Sequence, residues 1–338
     1  MTLKNYGKHE FVSPSHISSH KLTLKFFFIL LPGLFVVEST WAQENEESQS
    51  AQEKIETVWQ ESAVTTVLFN QSSFNKEWQA GGVSNVSGNI NLNYTLNYNK
   101  NGVNWDTKVT AEYGAAKIQS KENLQKTNDR LEVISVVGKK IKSSKWFYSG
   151  LFNFKTQFDS GFEASERTEI INGVSVKISS DVRNSKFFSP AYFLAGPGIL
   201  WKQDDDLRVN IAPSTARLIV VSNQFTNPDD PRNRLDKNNK YFGVASGETT
   251  RSELGMALNS YAKIELLPNV ELENILGLYS NYLDKPKNID IDYTANLTLR
   301  VNNLLTTNIT FQAIYDDNAV QGFQIRQALG IGVTYKLK

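Results

Sequence analysis

The sequence predicts an all-β fold: a transmembrane antiparallel up-and-down β-barrel of about 12 strands, with short periplasmic turns and long outer loops. Residues 89–99 read NINLNYTLNYN, with Ile90, Leu92, Tyr94, Leu96 and Tyr98 on one side and Asn89, Asn91, Asn93, Thr95, Asn97 and Asn99 on the other. A strand with one wholly apolar face and one wholly amide or hydroxyl face needs a greasy medium on one side and a wet one on the other. The same period of two returns in twelve segments from residue 62 onward. Connections between those segments alternate between tight and long, as a membrane barrel requires.

With 338 residues, 40% hydrophobic and 21% charged, the chain can build one large barrel or bury a large core, so length does not choose between them. The net charge of +1 and the lack of a basic patch give no ground for expecting nucleic acid as a partner. Thirteen Tyr and nineteen Phe supply strand and interface residues.

Residues 1–42 read as a cleaved signal peptide with an atypically long front end. Lys21 and Lys25 precede the apolar run 26–37, broken by Pro32 and Gly33, and Ser39, Thr40, Trp41 and Ala42 offer a small-residue cleavage site before Gln43. A buried helix or an anchor is the alternative, but this run is shorter than the ~20 residues a spanning helix needs. All three histidines, His9, His16 and His20, fall within this segment, and the chain has no cysteine. The mature chain is therefore expected to lack both, which excludes Ser-His triads, Cys nucleophiles, imidazole metal sites and lipoprotein acylation. The expectation is no enzyme, no cofactor and no metal. Residues 43–61, rich in Glu, Gln and Ser, read as a flexible periplasmic lead-in, with a short helix at 55–59 as the alternative. Residues 62–338 form the barrel.

Taken in order, the strands are 64–73, 86–99, 103–113, 131–141, 146–158, 187–201, 207–222, 254–266, 270–282, 289–301, 305–315 and 323–337. Lys100, Asn101 and Gly102 join the second to the third, and Asn-Gly is a strong hairpin signal. Tight turns also fall near residues 143, 204, 268 and 303, while the connections 74–85, 118–128, 159–185 and 223–247 are long. An even number of strands places both ends in the periplasm. Most segments reach the ~9–11 residues that a tilted spanning strand needs. A soluble β-sandwich also alternates, but its strands are usually about 5–6 residues long. Trp105, Tyr148, Trp201, Tyr282, Tyr293 and Tyr335 lie near strand ends, as interfacial girdles would, although core aromatics look similar.

Five landmarks punctuate this pattern: NKEWQAGG at 75–82, KTNDRLE at 126–132, KWFYSGLFNFKTQFDSGF at 145–162, SPAY at 189–192 and SNYLDKPKNIDIDY at 280–293. Together they resemble a Bacteroidete family of exported proteins classed as a domain of unknown function, over about residues 62–338. The resemblance implies an outer-membrane-type barrel in a Gram-negative envelope and supplies no catalytic residues.

The predicted lumen lining is Asp106, Lys108, Glu112, Lys155, Arg208, Glu253, Lys263, Glu265, Glu271, Glu273, Asp290, Asp292, Arg300 and Arg326. Mixed signs in a narrow interior make either a selectivity lining or a salt-bridged plug, because buried charges must pair. Glu271 and Glu273 share a face, which raises paired-carboxylate chemistry, but wall charges explain them more simply. Trp78 with Gly81 and Gly82 is a candidate loop anchor, or a sugar-stacking site if the loop folds into the mouth. The Asp-rich segments 227–231 and 316–318 offer oxygens for calcium, yet neither follows an EF-hand pattern and turn chemistry accounts for both. The expected partners are outer-membrane lipids, the barrel-assembly machinery and small solutes. The leading functional expectation is a channel or small-solute binding and transport barrel. The alternatives are a non-conducting structural or surface-interaction barrel acting through its loops and, last, an envelope hydrolase.

Overall fold

The computed structural model describes residues 58–75, 83–119, 124–171 and 174–337. Trp78, Gly81, Gly82, the residues read as a signal peptide and most of those read as a lead-in lie outside the described residues. Twelve strands close into an antiparallel barrel: β1 (Trp59–Ser72), β2 (Asn85–Lys100), β3 (Val103–Ile118), β4 (Gln125–Lys140), β5 (Trp146–Thr156), β8 (Ala191–Lys202), β9 (Leu207–Val220), β12 (Thr250–Leu267), β13 (Val270–Asn281), β14 (Ile289–Arg300), β15 (Leu305–Asp316) and β16 (Val320–Leu337). Around the ring the order is β1, β16, β15, β14, β13, β12, β9, β8, β5, β4, β3, β2. Closure is made by Ala63 to Phe69 of β1 against Leu337 to Ile331 of β16.

Sequence dictates the hairpins. Asn101 and Gly102 both take positive φ, 53° and 71°, the backbone that a two-residue turn between twisted strands demands. At the end carrying these short turns, β1 begins and β16 ends. At the other end two connections carry structure of their own. Residues 157–190 contain a hairpin outside the ring, β6 (Gly161–Ile171) with β7 (Val174–Ser185). Residues 221–249 contain a single helical turn, α1 (Asn223–Thr226), and a miniature ladder, β10 (Lys240–Tyr241) with β11 (Val244–Ala245). Both fall where the sequence shows only long loops. Their strands are too short, or too weakly alternating, to stand out before folding.

The second insertion is a packed body. Phe225, Tyr241 and Val244 are buried against Ile219 and Val221 at the end of β9, and Tyr192 of β8 packs on the same cluster. The Tyr241 hydroxyl donates to the Asn184 carbonyl at 2.8 Å, tying this insertion to the β7 end of the other. Burial pushes the Tyr241 phenol well above its ordinary value.

The barrel is apolar outside and polar inside. Ile325, Leu329 and Ile331 are 56–60% exposed, whereas Asn104, Asp106, Arg217 and Thr306 are at most 5% exposed. Burying apolar area is worth about 25 cal/mol per Å², so such an exterior demands a lipid phase. Barrel strands of 11 to 18 residues are long enough to cross it. Outward-facing Trp59, Trp105, Trp146 and Trp201 all stand at the short-turn end: Trp59 packs on Tyr98 and Trp105, with ring centroids 4.8 and 6.0 Å apart, and Trp146 pairs with Trp201 across β5 and β8. Phenylalanines take their place at the long-loop end, where Phe154 packs on Phe193 and Phe188. Tyr293, expected near a strand end, instead sits within the wall, its hydroxyl donating to Asn274 at 2.8 Å.

Candidate functional site: the barrel interior

Among the described residues, inward side chains set off three cavities in series along the lumen. The one toward the long loops has a volume of about 270 Å³ and is lined by Arg130, Lys155, Arg217, Asp290, Asp292 and Asp316, among others. A pocket of about 50 Å³ lies below it, sharing Ile134, Asn259 and Ile275 with the first. A third, of about 340 Å³, lies at the short-turn end and shares Lys108, Arg208 and Tyr261 with the second.

An ion pair stands at the boundary of the lower two, while Ile134, Asn259 and Ile275 stand between the upper two. Lys108 of β3 meets Glu273 of β13 at 2.5 Å, and these strands stand six places apart in a ring of twelve, so the pair spans the diameter. Asn296 donates a further hydrogen bond to Glu273 at 3.0 Å. Lys155 of β5 pairs with Asp292 of β14, whose other oxygen accepts from Gln312 at 3.1 Å. Glu112 of β3 takes Asn128 at 2.8 Å and Arg326 of β16 at 3.4 Å. Arg130 and Glu132 pair along β4, and Asn153 donates to Glu132 at 2.8 Å. Beside these pairs Val136, Leu151, Leu200, Ala212 and Ala257 pack into an apolar cluster inside the barrel.

Nearer the loops, Arg217 joins three strands: its Nε meets Glu253 of β12 at 2.6 Å and its Nη1 meets Asp290 of β14 at 2.5 Å, while its guanidinium lies 4.1 Å from the centre of the Tyr279 ring. Gly255 makes room for that ring, since a Cβ there would approach Tyr279 to 2.9 Å and the Ser280 carbonyl oxygen to 2.0 Å. Nearer the turns, Lys202 pairs with Asp106 at 2.9 Å, and Arg208 stacks on Tyr261 at 4.2 Å. Lys263 and Arg300 flank Glu271 at 3.1 and 3.3 Å.

Of the lining residues read from the sequence, Lys108, Glu112, Arg208, Lys263, Glu271, Glu273 and Arg300 line the lower cavity, and Lys155, Asp290 and Asp292 the upper one. Asp106 lines the middle pocket, and Glu253 and Arg326 are held in the inner ion pairs. Glu265 differs: it is exposed at the turn end of β12, opposite Glu271 of β13 but past the last position that β9 covers. Glu271 and Glu273 are not a carboxylate pair, because each is taken up by basic partners.

Absent from the lining read from the sequence are Arg130, Glu132, Lys202, Arg217 and Arg251, whose Nε meets Glu253 at 2.7 Å. Arg130 and Lys202 lie one residue outside the strand limits drawn from periodicity. Arg217 was hidden by a phase change: Arg208, Asn210 and Ala212 face inward on even positions, Thr215, Arg217 and Ile219 on odd ones. Pro213-Ser214, opposite Gly196-Pro197-Gly198, marks the register shift, and proline inside a strand is the signal that betrays a bulge.

The two Asp-rich segments behave as turns. Asp230 is held by the side chain and backbone N–H of Arg232, which lower its carboxyl to about 2. Asp316 accepts the Asn318 N–H at 2.9 Å. Oxygens of Asp290, Asp316 and Asp317 lie within 4.8 Å of one another.

Solved structures similar to this chain are barrels. The translocator domain of the autotransporter NalP from Neisseria meningitidis is 10% identical, with 84% of this chain and 90% of that one covered and a TM-score of 0.35. An outer membrane channel from Pseudomonas putida F1 is 8% identical over 86% and 99% of the two chains, TM-score 0.34. The NanC porin is 11% identical over 82% and 100%, TM-score 0.33. Nothing about activity passes from them to this chain. No curated protein matches it. Residues 69–162 match the family model described as "Protein of unknown function (DUF3078)", a stretch that holds the landmarks at 75–82, 126–132 and 145–162 and leaves those at 189–192 and 280–293 outside it.

Proposed function

We propose that this chain is an outer-membrane β-barrel of a Gram-negative envelope that holds a small solute in its interior and is closed to free diffusion in the described state. The observation carrying this reading is the Lys108–Glu273 pair across the full diameter, with a cavity on either side. An open porin keeps a continuous water column, whereas ions that meet across a lumen replace water with each other. The reading takes lipids as the surrounding partner, barrel-assembly machinery as the route of insertion and a cleaved signal as the route of export. It assigns no enzymatic step, because every acid singled out for chemistry has a structural partner.

A second reading, a non-conducting surface barrel, is favoured by the packed body of residues 221–249, built on Phe225, Tyr241 and Val244. Osmotic swelling of proteoliposomes in isosmotic KCl, glucose and raffinose separates closed from open. Rates within about twofold of protein-free liposomes are expected. Fast swelling graded by solute size would make the protein an open diffusion pore.

A further inference from the structure

The upper cavity carries donors that nothing in the protein satisfies. Arg130 Nε, Arg217 Nη2 and the Tyr279 hydroxyl are buried without a hydrogen-bond partner, and all three residues line that cavity and are more than nine-tenths buried. A buried donor left unpaired costs about 1–3 kcal/mol, more when it is charged, so three around one cavity point to an acceptor that belongs there. The opposite need stands beside them. Asp316, on β15, lines the same cavity, and no cation lies within ion-pair distance of it among the described residues. Its oxygen lies within 4.8 Å of that of Asp290, which Arg217 holds at 2.5 Å, so the need of Asp316 adjoins that of Arg217, as the ammonium and carboxylate on one α-carbon adjoin. Ile134, Leu194, Ile275, Ile314 and Phe242 supply an apolar wall around them.

We propose that the upper cavity binds a small zwitterion with an apolar body, an α-amino acid with an aliphatic or aromatic side chain, its carboxylate taken by Arg130, Arg217 and Tyr279 and its ammonium by Asp316. This rests on the small-solute reading above and narrows it. A neutral polyol leaves both needs unanswered. A simple acid or amine answers only one. A volume of about 270 Å³ lies just below the ~300–1,000 Å³ usual for ligand pockets, which suits a ligand of amino-acid size.

The test is ligand-dependent thermal unfolding of the detergent-purified full chain, followed by heat-modifiable gel mobility. Probes are L-leucine, L-phenylalanine, 4-methylpentanoate, isopentylamine and glucose. L-Leucine or L-phenylalanine is expected to raise the midpoint saturably, with the acid and the amine at least about tenfold weaker, the worth of one charged hydrogen bond. Asp316→Asn is expected to weaken the amino acid about tenfold, and so is Arg130→Gln. Phe242→Ala, which leaves every ion pair in place, keeps the test decisive if Arg130→Gln does not fold.

Equal stabilisation by 4-methylpentanoate or isopentylamine would overturn recognition of both ends. Amino-acid binding indifferent to Asp316→Asn and Phe242→Ala would overturn the site. Stabilisation by glucose alone would overturn the ligand class and leave the small-solute reading standing. No stabilisation by any probe would overturn both.

Discussion

The arc of wall formed by β15, β16, β1 and β2 stands diametrically opposite the arc formed by β5, β8, β9 and β12, and the two fill the lumen differently. On the first arc the inward residues are mostly short amides and hydroxyls knitted along the wall: Thr66 with Thr334 at 3.0 Å, Thr306 with Thr334 at 2.8 Å, and Thr310 donating to Asn296 of neighbouring β14 at 3.0 Å. On the second they are Leu151, Leu200, Ala212 and Ala257 beside Lys155, Lys202, Arg217 and Glu253: Lys155 reaches five strands round to Asp292, Lys202 and Arg217 three strands round to Asp106 and Asp290, and Glu253 pairs with Arg217 of the adjacent strand. Short side chains that bond sideways leave space, and Thr66, Asn91, Asn93, Thr310 and Thr334 form the first arc's side of the 340 Å³ cavity. Long charged side chains bond forward and close it.

The energetic difference should follow the chemistry. Arg217→Met strands the carboxylate of Asp290 and leaves Glu253 with Arg251 alone, and removing one partner of a buried pair costs about 3–5 kcal/mol. Thr310→Val on the other side removes one neutral hydrogen bond, worth about 0.5–1.5 kcal/mol. Urea midpoints of the two variants, read by tryptophan fluorescence in detergent, measure both. Equal losses would erase the distinction between the arcs.

A smaller effect lies outside the membrane-spanning wall. Asp230 has its folded value lowered to about 2, from an ordinary value near 3.9, by hydrogen bonds from Arg232. A lowered carboxyl stabilises its turn fully above the unfolded value, and the contribution is lost as pH falls toward 2. Amide exchange at Asp229 and Arg232 should therefore speed up between pH 4 and about pH 2 relative to the intrinsic rate, while the barrel is unchanged. Protection that stays constant over that interval would mean that the ion pair does not order the turn.

The same contrast decides what the sequence could show. On β2, whose apolar and amide faces never slip phase, both the strand and its inward Asn89, Asn91, Asn93, Thr95 and Asn97 are plain from alternation alone. On β9 the bulge at Pro213-Ser214 reverses the faces, so a reading in one phase keeps Arg208 and loses Arg217. Inwardness of Lys108 and Glu273 is likewise legible; their meeting is not, because partnership across a diameter depends on the ring order. The body folded from residues 221–249 was beyond periodicity altogether. Its buried residues, Phe225, Tyr241 and Val244, are scattered at no regular spacing.

Single-channel recording of the purified chain in planar bilayers, beside a Lys108→Gln, Glu273→Gln double variant, tests the closed interior most directly. Removing both charges at once leaves no unpaired ion, so the variant is expected to fold. The account predicts that the natural chain is silent or nearly so and that the double variant shows steady conductance. A large, steady conductance from the natural chain, unchanged by the double substitution, would contradict it.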